Sequence, residues 1–182
     1  MDNRTKAAPS ASLSRRKFVE LCGLGMAGII ASSAIAPKQA EALTGNASDP
    51  DQLWNQALIK AEFQGAEVHE NITPHQNPVP RSSITATAQG STTVGVVPDT
   101  ITAVAIFEAS GNQITTLYDA WVYGTQSSVA NSYYSYVILD GGRTIAVKHT
   151  ATLQNIFGIS QGFKIYSEYY YTGTGWLSIS YL

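Results

Sequence analysis

The second half of the chain alternates apolar and polar residues with a period of two. Between residues 144 and 154, one side of the pattern is formed by Ile145, Val147, His149, Ala151 and Leu153. Thr, Lys and Gln side chains occupy most of the other side. Successive side chains of a strand point to opposite faces. This segment is therefore predicted to be a strand with one buried face and one solvent-exposed face.

Similar segments recur along the chain and are separated by turn residues, which predicts a mainly β fold. The predicted strands are 84–89, 92–97, 101–108, 113–124, 133–139, 143–154, 163–171 and 176–182. Gly90 and Ser91 are predicted to form a tight hairpin turn with Gly90 at positive φ, and 140–142 to form the clearest hairpin. Residues 125–131 are predicted to be a polar loop. The spacing favours an antiparallel β-sandwich, immunoglobulin-like in the broad sense, with a small β-barrel as the alternative.

One helix is predicted before the strands. Ser48, Asp49 and Pro50 provide a capping side chain and a proline near the first helical position. The apolar residues that follow share one helical face: Leu53, Trp54, Ala57, Leu58 and Ala61. The helix is predicted over 50–63, covering an edge or face of the sheet. Residues 65–83, with three prolines, are predicted to be a linker or a covering loop.

The N-terminus has the order of a cleaved export signal: a polar start, an Arg pair and an apolar stretch over 21–36. Ser14, Arg15, Arg16 and Phe18, with Lys17 and Val19, resemble the S-R-R-x-F-L consensus of twin-arginine (Tat) signals. That resemblance implies a Tat translocase and a signal peptidase as partners during export. It also implies a secreted, cell-surface or periplasmic product.

Ala40 and Ala42 flank Glu41 in an A-x-A cleavage site. We therefore expect a signal peptide over 1–42, a helix with a Pro-rich linker over 43–83 and a sandwich domain over 84–182. The apolar stretch of the signal is too short for a confident membrane span, so no stable span is expected in the mature form. The mature part is similar to small secreted bacterial β proteins of unassigned function.

Charge and cysteine content exclude several functions. Residues 1–42 hold six of the 11 basic and three of the 13 acidic residues, so residues 43–182 keep five and ten, a net charge near −5. Five scattered cations form no patch for nucleic acid. Cys22, the single cysteine, lies in the signal, so the mature part has no thiol for disulfides or thiolate metal sites.

Candidate chemistry is sparse. The chain has no G-x-S-x-G motif, and no spacing pairs Glu108, Asp119 or Glu168 with a second acid. His69, Glu70 and His75 are read as loop residues in solvent rather than metal ligands, and His149 as a core residue hydrogen-bonded to backbone or tyrosine. No catalytic, cofactor-binding or metal-binding residue is assigned. A small hydrolase using one of the three acids with His149 is the rival hypothesis.

Tyrosines form the remaining candidate site. All ten lie between residues 118 and 181. Their rigid, amphipathic rings can stack on sugars or anchor a protein. The predicted binding surface consists of Tyr133, Tyr134, Tyr136, Tyr166, Tyr169 and Tyr170. The leading hypothesis is an exported, non-catalytic module that binds a carbohydrate or protein of the cell surface; an accessory partner of a larger Tat-exported enzyme is a third.

Overall fold

The computed structural model describes residues 49–75 and 78–182, which contain one α-helix, eight strands and one short 3₁₀ turn. The helix is α1 (Pro50–Gln64). The strands are β1 (Val68–Ile72), β2 (Ile84–Val94), β3 (Val97–Ser110), β4 (Gln113–Gly124), β5 (Ser127–Leu139), β6 (Thr144–Asn155), β7 (Ser160–Tyr170) and β8 (Gly175–Tyr181). The twin-arginine motif and the predicted cleavage site lie outside the described residues.

The strands form two antiparallel sheets. The larger sheet has the order β1-β5-β6-β7-β8 and the smaller has the order β2-β3-β4, with every neighbouring pair antiparallel. The prediction of a mainly β chain with one N-terminal helix is confirmed. The strands belong to two separate sheets and do not close into the barrel that was the alternative.

Two apolar clusters join the inner faces of the sheets. In one, Phe107 of the smaller sheet packs with Tyr134 and Tyr169 of the larger sheet. In the other, Ile101 packs with Leu153 and Phe163. The apolar side of β6, from Ile145 to Leu153, is buried between the sheets as its alternation predicted. The two sheets therefore pack face to face around a shared core.

Helix α1 covers part of the outer face of the larger sheet. Trp54, Ala57 and Ala61, three or four residues apart on one helical stripe, form a third buried cluster that includes Ala146 and Tyr166. The Asp49 side chain caps the helix by accepting from the Asp51 N–H at 3.1 Å, and Gly65 ends it in the left-handed conformation at φ 65°. The predicted helix is confirmed, and the larger sheet lies between it and the smaller sheet.

The hairpin predicted at Gly90 and Ser91 is wrong. Gly90 lies inside β2, paired with Ile101, and the true turn is Gly95 and Val96, with Gly95 at φ 64°. A Cβ atom at Gly90 would lie 2.6 Å from Cδ1 of Leu177 on β8. The atoms contacted are the ends of the Leu177 and Ile179 side chains, so Gly90 lies where the two sheets approach closely rather than in a turn.

The segment predicted as a linker contains strand β1, which pairs antiparallel with β5, Val68 opposite Val137. β5 itself begins at Ser127, inside the predicted polar loop. The extra strand residues are polar on their exposed side, so periodicity underestimated both elements. In contrast, residues 140–142 do join β5 to β6 as predicted. Across 49–75 and 78–182, no helix has the length and apolarity needed to span a membrane.

Candidate functional site

A cleft of about 350 Å³ lies between helix α1 and the outer face of the larger sheet, beside the β5–β6 turn. Clefts that hold small molecules have volumes of about 300–1,000 Å³. The helix lines it with one stripe of side chains: Leu53, Gln56, Ala57 and Lys60. The sheet and its turn supply the rest: Leu139, Asp140, Thr144, Tyr166, Glu168 and Tyr170. The packing of the helix on the sheet thus creates the cleft.

Glu168 is held in place by two aromatic side chains. The Tyr166 hydroxyl donates to Oε1 at 2.6 Å, and Nε1 of Trp176 donates to Oε2 at 3.2 Å. The two rings pack with centroids 5.6 Å apart. A carboxylate offers about four acceptor positions, so each oxygen keeps capacity for a ligand hydroxyl or amide. The carboxylate is therefore pre-oriented at the wall of the cleft.

Lys60, Gln64 and Asp140 form one rim of the cleft. Lys60 Nζ lies 2.7 Å from Oδ2 of Asp140, and Gln64 Nε2 donates to Oδ1 at 3.3 Å. The Asp140 N–H donates back to Oε1 of Gln64 at 2.8 Å. Partial burial would raise the pKa of Asp140, but the Lys60 ammonium and these hydrogen bonds hold it below its usual range. The rim ties the end of the helix to the β5–β6 turn.

The two cleft tyrosines remain neutral phenols. Burial, and then the negative charge of Glu168, raises the pKa of Tyr166 far above its usual range and also raises the pKa of Tyr170. Tyr166 is buried beneath the helix, whereas Tyr170 is 38% exposed. Tyr170 therefore offers a ring surface to a ligand in the cleft, while its side chain is hydrogen-bonded to Glu168 and Trp176.

Together these groups suit recognition of a polar, uncharged ligand. They provide an anchored acceptor in Glu168, a cation in Lys60, an amide in Gln56 and an aromatic surface in Tyr170. A ring beside fixed acceptors and donors matches a sugar, which has an apolar face and hydroxyls at its edge. Asp140 and Glu168 also place two carboxylates in one cleft, which is the residue type that glycoside hydrolysis requires.

The six predicted tyrosines do not form one binding surface. Tyr134, Tyr166 and Tyr169 are buried, Tyr136 is half-buried, and only Tyr133 and Tyr170 are exposed. Tyr134 and Tyr169 face the smaller sheet, while helix α1 covers Tyr166.

Tyr133 and Tyr170 do share the outer face of the larger sheet, opposite Thr150 and Thr144 of β6 respectively. Six residues of strand separate those positions, about 20 Å. The two exposed rings are thus too far apart to hold one sugar residue.

The three candidate acids of the rival hydrolase hypothesis have different partners. Glu108 accepts from the Tyr118 hydroxyl at 2.6 Å. Asp119 is buried and accepts from the Ala120 N–H at 2.8 Å and from the His75 N–H at 2.8 Å. Glu168 lies in the cleft. No contact joins any of the three to His149 among the described residues.

His149 is fully buried between the sheets, as predicted, but without the predicted hydrogen bond. Among the described residues neither ring nitrogen has a partner, and the Tyr134 ring lies 6.0 Å away between centroids. Burial lowers the pKa of His149 to about 3, because the charged form would lose its hydration. The side chain is a neutral core residue and lies away from the cleft.

His69 and His75, which were predicted to be loop residues in solvent, each contact an aromatic ring. His69 stacks on Tyr136 with ring centroids 4.5 Å apart. His75 contacts Trp121 and places Nδ1 3.0 Å from Asp119, which fastens the segment after β1 to β4. Within the described ranges, no three His, Cys, Asp or Glu side chains are grouped so as to hold a metal ion.

No protein-family model, curated protein or solved structure matches this chain. The cleft is therefore interpreted from its own residues.

Sequence reasoning missed Lys60, Gln56 and Trp176 as members of this site. Lys60 and Gln56 lie on the same helical stripe as the buried Ala57, so the helical periodicity carried a signal for their direction. Trp176 lies opposite Glu168 across β7 and β8, and this cross-strand pair became apparent only with the register.

Proposed function

We propose that this protein is exported through the Tat pathway and that its mature part is a non-catalytic binding domain. Its ligand is a sugar residue of a cell-surface or cell-wall glycan, bound in the cleft between α1 and the larger sheet. Two antiparallel sheets packed face to face support an immunoglobulin-like sandwich in the broad sense. The twin-arginine motif and the A-x-A site support export.

One observation carries the ligand assignment: a carboxylate fixed by two aromatic donors beside a half-exposed tyrosine. Tyr166 and Trp176 hold Glu168 in one orientation before any ligand arrives, so binding does not have to order it. Tyr170 lines the same space and presents its ring. Pre-oriented acceptors next to an aromatic face are the groups that a sugar uses.

The test is binding of the full chain to arrayed glycans and cell-wall polymers, followed by titration calorimetry on the best ligand. Tyr170→Ala and Glu168→Gln are each expected to weaken binding by about 10- to 100-fold, the range for one hydrogen bond to a charged group or one aromatic contact. Tyr133→Ala is the matched control, because Tyr133 has similar exposure, 40%, on the same sheet face but lies outside the cleft.

Binding that survives Tyr170→Ala and Glu168→Gln, or that is lost equally in Tyr133→Ala, would contradict the proposal. The presence of Asp140 beside Glu168 favours a small glycoside hydrolase as the second candidate function. Release of new reducing ends from the bound polymer, abolished by Glu168→Gln, would assign the cleft to that function instead. Glycan binding without product release would assign it to recognition.

A further inference from the structure

Apolar side chains are concentrated at the end of the two sheets opposite the cleft. Three turns meet there: Gly95–Val96 between β2 and β3, Thr125–Gln126 between β4 and β5, and the loop 156–159 between β6 and β7. The loop exposes Ile156 and Phe157, each to 72%, and Val96 is exposed to 81%. Val129 and Ile159 are exposed at the same end. We call these five residues the apolar tip.

A buried side chain holds the apolar tip in shape. Oδ1 of Asn155 accepts from the backbone N–H of Phe157 at 2.9 Å and of Ile159 at 3.0 Å. Its Nδ2 donates to the carbonyl of Val94 at 2.8 Å, which joins the loop to the neighbouring β2–β3 turn. Burying an amide with three hydrogen bonds fixes the loop backbone. Ile156 and Phe157 are thus presented outward by a rigid frame.

The β4–β5 turn beside it has its own buried frame. Oδ1 of Asp99 accepts from the N–H groups of Thr125 and Gln126 at 2.8 and 2.9 Å, and Oδ2 accepts from the Ser127 hydroxyl. Burial would raise the pKa of Asp99, but these hydrogen bonds hold it below its usual range. The charge is enclosed beneath the turn and does not reach the surface.

The segments around the apolar tip contain no charged side chain, and the carboxylate beside them, Asp99, is buried. Residues 91–98, 122–135 and 151–163 contain no Asp, Glu, Lys, Arg or His, and their polar members are Ser, Thr, Asn, Gln and Tyr. Residues 43–182 carry fifteen charged side chains, and none of them lies in these three segments. Attraction to anionic lipid or to nucleic acid requires exposed cations, which the tip lacks.

From this charge pattern we infer that the apolar tip inserts into the interface of a lipid bilayer, with zwitterionic headgroups around it. A projecting pair of large apolar side chains can enter the acyl boundary, where burying them is favourable. The neutral hydroxyls and amides behind them match a headgroup layer that offers both donors and acceptors. This inference does not depend on the cleft having a ligand.

The test places a tryptophan at the tip of the full chain and mixes the protein with phosphatidylcholine vesicles. Because residues 21–36 are themselves apolar, total binding to vesicles is not diagnostic, and the readout must be local. Phe157→Trp is expected to show a blue-shifted emission with vesicles and quenching by bromine on the lipid chains. Phe63→Trp is the matched control, since Phe63 is exposed to 75% on the helix, away from the tip. Its emission should not change.

A further variant measures how strongly the apolar tip binds the vesicles. In the Phe157→Trp background, Ile156→Ser is expected to raise the lipid concentration needed for half-maximal quenching of the tip tryptophan by roughly tenfold. Adding phosphatidylglycerol should not strengthen it. Emission of Phe157→Trp that stays water-like with vesicles would overturn the inference. A blue shift that appears without vesicles and grows with protein concentration would also overturn it, by assigning the tip to a second copy of the chain.

Discussion

On the inner face of the larger sheet, His149 lies fully buried and uncharged, whereas one residue earlier on the same strand Lys148 is charged and paired on the outer face. The inner face meets the smaller sheet across two apolar clusters. The outer face meets a single helix, which covers only part of it and leaves the cleft. The two faces differ because a sheet excludes water along its whole length, while one helix excludes it along one stripe.

That difference separates stability from recognition. On the inner face His149 is buried in its neutral form, and among the described residues neither of its ring nitrogens has a hydrogen-bond partner that would compensate a charge. On the outer face Asp51, at the start of the helix, lies 2.7 Å from Lys148 and 2.5 Å from Lys164, so charges persist in pairs. The charged and polar groups that could bind a ligand therefore lie on the outer face of the larger sheet, which the helix covers only in part.

The largest expected effect comes from removing the anchor of the helix. Trp54→Ala should lower the free energy of unfolding by about 3–5 kcal/mol, the usual cost of deleting a large buried side chain. Trp54 is 5% exposed and packs against Val137 and Ala146. Chemical denaturation followed by circular dichroism measures the change.

Ile59→Ala is the matched control for Trp54→Ala, because Ile59 is exposed on the same helix and should cost about 0.5 kcal/mol or less. Trp54→Ala should also weaken ligand binding in the cleft, because the helix forms one wall of the cleft. A Trp54→Ala protein as stable as the Ile59→Ala protein would show that the helix contributes nothing to the outer face.

The next effect is a pH dependence specific to the inner face. The unfolded chain protonates His149 near its ordinary pKa of 6.5, whereas burial keeps the folded side chain neutral down to about pH 3. The unfolded state therefore binds the extra proton, and stability present above pH 6.5 is lost as the pH falls toward 3. The slope approaches about 1.4 kcal/mol per pH unit.

His149→Leu should abolish the part of this slope between pH 7 and 5, where carboxylates contribute little, as measured by denaturation at each pH. His69→Gln is the control, because His69 stacks on Tyr136 at an edge strand rather than in the core. Nuclear magnetic resonance offers a direct check. A ring proton of His149 that titrates near pH 6.5 in the folded protein would contradict the neutral inner face.

The contrast between the faces also explains what the sequence predicted and what it did not. Period-two alternation identified the inner face of β6, and the cap at Asp49 and Pro50 identified the helix, because both signals lie within one element. Gly90 was wrongly assigned to a turn because the residue that it approaches, Leu177, is distant in the sequence. The two come close only when the sheets pack. A local sequence pattern cannot distinguish a glycine in a turn from a glycine at a close approach between two sheets.

The cleft required the same non-local information. Tyr166 alternates onto the outer side of β7, which on one strand reads as exposed, yet the helix buries it and turns its hydroxyl toward Glu168. Lys60 reaches Asp140 across 80 residues of sequence. Composition indicated that tyrosines matter here, but only the packing of helix on sheet shows that one exposed ring, Tyr170, lines a cleft.

The smallest expected effect comes from the paired charges of the outer face. It tests whether the Asp51–lysine pairs contribute to stability. The hydrogen bonds from Lys148 and Lys164 lower the pKa of Asp51 below its ordinary 3.8. A lowered carboxylate pKa stabilises the fold above 3.8, and that contribution disappears as the pH falls through the folded value. Asp51→Asn should lower the melting temperature at pH 7 by no more than about 2–4 °C, since these pairs are partly exposed. The deficit should shrink in 1 M salt, where screening weakens the wild-type pairs. Glu62→Gln, on the exposed side of the same helix, serves as the control. A salt-independent deficit would mean that Asp51 acts through its place in the first helical turn rather than through the two lysines.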